Sequence, residues 1–148
     1  MTSNADLDEL RIRQEAALGV LARGVLKLED GPDAMKGASE KLRAEMVDVL
    51  FAHQRFKHAR VYDPAIESGD EHRAILARHM KVNCIAQGEL LNAHIRRWPP
   101  TTIAADWPAY KVAARLTANQ LRRHITTEGE GIAELIAAYP EPQDPSRE

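Results

Sequence analysis

LFAHQRFKHARVYDPAI, residues Leu50 to Ile66, decides how this chain reads. Continued backwards, the stretch places Leu42, Met46, Val49, His53 and then Phe56 or Lys57 at spacings of three and four, one stripe of an α-helix. A histidine and a lysine therefore stand on a stripe that is otherwise apolar. In the core of helices packed together such groups are costly unless they bind a metal or each other. Pro64 ends this helix or bends it into a short helical turn.

Working outward from that helix, which is expected from about Asp33 to Tyr62, the same period recurs three times. Leu7, Leu10, Gln14, Leu18, Leu21, Val25 and Leu28 mark a first helix from Leu7 to Glu29. Ser3 and Asp6 offer its cap, and Asp30-Gly31-Pro32 stops it. Ser68-Gly69-Asp70-Glu71 has capping-box spacing and opens a third helix to about Arg97. Its expected stripe passes through His72, Leu76 or Ile75, His79, Val82 or Asn83, Ala86, Leu90 and His94. Trp98-Pro99-Pro100 breaks the chain. Asp106 with Pro108 then reads as an N-cap and first-turn proline. The fourth helix continues to about Ala138 through Tyr110, Ala113, Thr117, Leu121, His124, Glu128, Ile132 and Leu135. No stretch alternates convincingly as a strand. Long helices with short links predict an all-α, antiparallel up-down-up-down four-helix bundle over residues 1–140, with a polar tail at 141–148.

Composition narrows the partners. The 148 residues are one domain's length, and 20 basic against 22 acidic side chains give a net charge of −2. Such a balance offers no general attraction to nucleic acid or to an anionic membrane. The apolar runs are short and interrupted by charge, so none is expected to span a bilayer, and the N-terminus shows no secretory signal. Cys84 is the only cysteine, which rules out a disulfide framework within one chain and fits a reducing cytoplasm. It reads as a small buried apolar residue.

The stretch around His53 and the later QLRRHITTEGEGIAELI, Gln120 to Ile136, resemble the helix-embedded His-x-x-x-Glu signature of the hemerythrin-like, or HHE cation-binding, family. Glu71-His72 at the start of the third helix is similar to that family's third-helix ligand. The resemblance implies a di-iron site: a histidine from the first helix, a histidine and a bridging glutamate from the second, two histidines one turn apart from the third, and a histidine and an acid from the fourth. Carried over, His53, His72, His124 and Glu128 match. Gln14, Lys57 and Leu76 stand where a histidine, the bridging acid and a second third-helix histidine are implied. An ammonium in place of a bridging carboxylate reverses the local field, so loss of the di-iron centre is expected.

Without metals, Glu128 needs another counter-charge, and Lys57 on the facing helix stands at about the same depth. The expectation is a Lys57–Glu128 pair with Gln14, His53 and His124 as hydrogen-bonding neighbours. The alternative is one iron or zinc ion on His72, His124 and Glu128, the two-histidine, one-carboxylate donor type. His79 is two turns from His72, about 10 Å along the axis, too far to share an ion comfortably. Trp98 and Trp107 are expected to cap one end.

No Ser-His-Asp set, phosphate-cradling glycine loop or paired catalytic carboxylates are legible, so no enzyme is expected. The reading is a binding or regulatory protein, or else a single-metal protein that senses oxygen, nitric oxide or iron. A protein partner or a homodimer is expected to use apolar outer faces, with Val20 and Leu26, and Ile85 and Leu91, as candidates.

Overall fold

Ser3 starts the first helix: its hydroxyl accepts from the Asp6 amide at 3.1 Å and the Asp6 carboxylate accepts from the Ser3 amide at 3.0 Å. This reciprocal cap satisfies donors that a helix start leaves open. The computed structural model describes residues 2–35 and 38–138, so the expected tail at 141–148 lies outside the described residues. Helix α1 spans Asn4–Leu28. Gly31, at φ 86°, turns the chain after it into a single 3-10 turn at Pro32–Met35. Helix α2 spans Ala38–Lys57 and runs into a π-helical turn at His58–Tyr62 and a short helix α3, Asp63–Ile66. Gly69, at φ 83°, precedes α4, Glu71–Arg97. A short helix α5, Pro100–Ala105, leads into α6, Trp107–Ala138.

The described chain is all-helical, with no strand among the described residues. Among the described residues, no helix is long and apolar enough to cross a membrane. Helix α1 packs on α2 and α6, and α4 packs on α6 and, more lightly, on α2.

The apolar stripes of these helices meet in layers. A central layer contains Ala17 and Leu21 of α1, Leu50 of α2, Leu91 of α4, and Leu121 and Ile125 of α6. Leu10, Val61, Tyr62, Cys84 and Ile132 form a second, and Ala65, Ala77 and Leu135 a third beside it. At the opposite end Leu28, Trp98, Ile103 and Tyr110 close the core, with Trp107 packed against them. The Trp98 and Tyr110 rings meet edge to face at 5.5 Å. Arg43 of α2 reaches the same end, donating to the Ile95 carbonyl at 2.8 Å and to the Trp98 carbonyl. A cation is well placed there, where α4 leaves carbonyls unpaired.

Four sequence expectations change. The second helix is not continuous from Asp33 to Tyr62; it begins at Ala38 and widens into the π turn after Lys57. The linker after Trp98 contains α5. In α4 the buried face is Ala74, Ala77, Cys84 and Leu91, while His72, Leu76 and His79 face outward. The reason is size. The small side chain at 77 lets α4 approach Ala65 and Leu135 closely, whereas Ile75, Leu76, Val82 and Ile85 are exposed apolar side chains. Of the proposed outer positions, Leu26 and Ile85 are exposed, but Val20 and Leu91 belong to the core.

Candidate functional site

Between the Leu50–Leu121–Ile125 layer and the Val61–Tyr62–Ile132 layer lies a polar one. Helix α2 contributes His53 and Lys57, one turn apart, and α6 contributes His124 and Glu128 at the same spacing. All four point inward because each continues the apolar stripe of its helix. The Lys57 and Glu128 side chains are each only 4% exposed.

Lys57 Nζ donates to Glu128 Oε1, and the Tyr62 hydroxyl donates to Glu128 Oε2. The π turn supports this arrangement. Tyr62 lies five residues beyond Lys57, which in a regular α-helix would point it to another face. The wider turn, closed by the Asp63 amide on the His58 carbonyl, brings it back toward Glu128. His124 Nε2 lies 3.6 Å from Glu128 Oε2, beyond ordinary hydrogen-bond length, and has no hydrogen-bond partner.

The charges follow from these contacts. Burial alone would push the Glu128 carboxyl up, but His124, Lys57 and Tyr62 together outweigh it and hold it down to about 2. Burial, and then the negative Glu128, push the Tyr62 phenol well above its ordinary range, so it remains a donor. Burial lowers His53 to about 3; the Lys57 ammonium adds to that shift and Glu128 opposes it. His53 is neutral at pH 7, and its Nδ1 has no hydrogen-bond partner.

Cys84 reaches the layer from α4. Burial pushes its thiol up to about 11, with Lys57 opposing and Glu128 adding to the shift, so it is held as a thiol. Cys84, His124 and Glu128 each offer a ligand atom within 4.8 Å of the others. A cavity of about 40 Å³ adjoins Cys84 and His124, lined also by His53, Gln54, Lys57 and Gln87 together with apolar residues. Its room exceeds the roughly 10–15 Å³ that one water occupies on the same measure. The buried Gln87 Oε1 is also without a partner.

The expected site is thus assembled in part. His53, Lys57, His124 and Glu128 come together, and the Lys57–Glu128 pair is present. Gln14 does not join the bonds to Glu128; its amide packs over Gly129, where an added Cβ would stand 2.6 Å from Gln14 Nε2. His72 is exposed at the start of α4, so a set of His72, His124 and Glu128 does not form, and Leu76 is 43% exposed. Cys84 occupies the inward position instead. Sequence reasoning missed Tyr62 and the role of Cys84. Tyr62 was hidden because its direction depends on the π turn. Cys84 carried a signal: it continues the period of Ala74 and Ala77.

No family model matches the chain, and neither does any curated protein or solved structure. The site is therefore interpreted from its own chemistry.

Proposed function

We propose that the chain is a hemerythrin-like, antiparallel up-down-up-down four-helix bundle in which an ion-pair network stands in place of the di-iron centre. In this reading it is a non-enzymatic binding or regulatory protein of the cytoplasm, working with a protein partner or as a homodimer. The observation that carries it is the engagement of Glu128: Lys57 and Tyr62 donate to its two oxygens. Two irons are a poor fit to such a layer. The position for a bridging acid holds an ammonium, and the third-helix positions His72 and Leu76 face solvent. Divalent ions beside Lys57 would meet repulsion at close range in a poorly solvated interior.

The non-enzymatic part of the proposal is supported by the same chemistry. A carboxylate held down to about 2 and a neutral buried histidine are both far from the protonation balance that general acid–base work needs near pH 7. The test is iron content per chain by plasma mass spectrometry, on protein grown with iron and purified without chelator or affinity tag. The reading predicts well below one iron per chain, and near two would overturn it.

A second reading, a protein with one metal ion, is favoured by a specific observation: Cys84, His124 and Glu128 bring sulfur, nitrogen and oxygen donors together.

A further inference from the structure

We infer that the buried layer is a conditional site for one zinc-class divalent cation, bound by Cys84 Sγ, His124 Nε2 and a Glu128 oxygen, with Lys57 as the competitor that holds Glu128 when the ion is absent. The inference rests on the proposal that this layer is a binding site without a di-iron centre, and it names the ligand class.

The donor chemistry selects the cation. A thiolate sulfur, an imidazole nitrogen and a carboxylate oxygen are the ligand types of zinc, whereas calcium and magnesium prefer oxygen alone. The three donors come from α4 and α6, so the site would tie two long helices together. The donors already lie within 4.8 Å of one another, and drawing them to bonds of about 2.0–2.3 Å on one ion is within reach of side-chain rotation.

A second observation points to a ligand independently. His53 is 3% exposed, its Nδ1 makes no hydrogen bond, and it lines the cavity that Cys84 and His124 also line. Buried polar atoms are normally satisfied, so an unpartnered imidazole nitrogen at the same cavity as an unpartnered His124 Nε2 is informative. His53 stands outside the three-donor group, so the fourth position of a tetrahedral ion would open toward the cavity that His53 lines and be filled by water.

Binding exchanges one set of contacts for another. The Cys84 thiol gives its proton to solvent and bonds as thiolate, since a coordinating thiol is deprotonated. Glu128 gives up the Lys57 N–H bond for the ion. Lys57 then loses its acceptor while the Tyr62 hydroxyl keeps the other carboxylate oxygen, which links occupancy to the end of α2 where the π turn begins. No electron transfer is involved. Because Lys57 competes for Glu128 and repels the cation, removing its charge strengthens binding.

The experiment is a cobalt(II) titration of the iron-free full chain, followed by absorbance for the thiolate-to-cobalt band and by competition with zinc. Wild type is expected to take one cobalt per chain with a thiolate band that zinc abolishes. Lys57→Met should bind at least tenfold more tightly. Cys84→Ser should lose the band and at least tenfold in affinity, and His72→Ala should match wild type. Far-ultraviolet circular dichroism establishes that each variant is folded, and if Lys57→Met is not, wild type against Cys84→Ser decides. The inference is overturned if folded wild type binds no cobalt, if cobalt binds without a thiolate band, or if Cys84→Ser leaves binding unchanged. These results are distinct from failure of the broader reading, which two irons per chain in iron-grown protein would signal.

Discussion

Lys57 of α2 and Glu128 of α6 meet across the core as a desolvated ion pair, with each side chain 4% exposed. The pair stands between two apolar layers, and Tyr62 donates to the second oxygen of the same carboxylate. A carboxylate in that place requires such partners, because an isolated buried charge is expensive. The arrangement explains why one helix stripe tolerates a lysine and the facing one a glutamate.

Tyr62→Phe removes only the hydroxyl that donates to Glu128. Hydrogen bonds to charged groups contribute about 1.5–3 kcal/mol, so the variant should lose stability in that range by urea unfolding. A loss under about 0.5 kcal/mol would mean that the phenol adds nothing to the hold on Glu128.

The register of α4 is open to a paired substitution. Leu76→Ala changes an exposed side chain and should move stability by no more than about 0.5 kcal/mol. Ala77→Leu inserts bulk at a fully buried position against Ala65 and Leu135, and should cost about 1–3 kcal/mol. The opposite order of effects would place Leu76 inside.

Stability should fall on acidification, and His53 sets part of the slope. Its pKa is lowered from 6.5 to about 3 in the folded chain, so the unfolded chain takes up a proton first. The contribution is complete above pH 6.5 and is lost progressively as pH falls from 6.5 toward 3, at up to about 1.4 kcal/mol per pH unit. His94, lowered to about 4 chiefly by burial, acts in the same direction. Urea midpoints between pH 7 and pH 5 should decline, and His53→Gln should flatten the decline. Midpoints that stay level across that range would show that His53 accepts a proton inside the fold.

Much of this fold was legible because most of its buried side chains follow a helical period. The inward positions of His53, Leu121 and Glu128 appear in the sequence as they appear in the structure, whereas α1 also buries Ala17 and Val20, which lay off its expected stripe. On α4 the period of large apolar residues misled, because its buried face is built from Ala74, Ala77 and Cys84. Small residues leave no mark in a pattern that weighs bulk, although they permit the closest helix contacts. The ion pair was legible once the resemblance marked Glu128 as a buried acid without its metals, because Lys57 stands at about the same depth on the facing helix. Tyr62 was not, since its direction depends on a change of helical pitch rather than on residue type.

The most direct test is a double-mutant cycle on Lys57 and Glu128, read by urea unfolding of Lys57→Met, Glu128→Leu and the double variant. Leaving either charge buried without its partner should cost about 3–5 kcal/mol, while the double variant, with an apolar pair in the same space, should return close to wild type. A coupling above about 2 kcal/mol is the predicted result. Single losses that simply add in the double variant would contradict the account, because the two side chains would then be shown not to depend on each other.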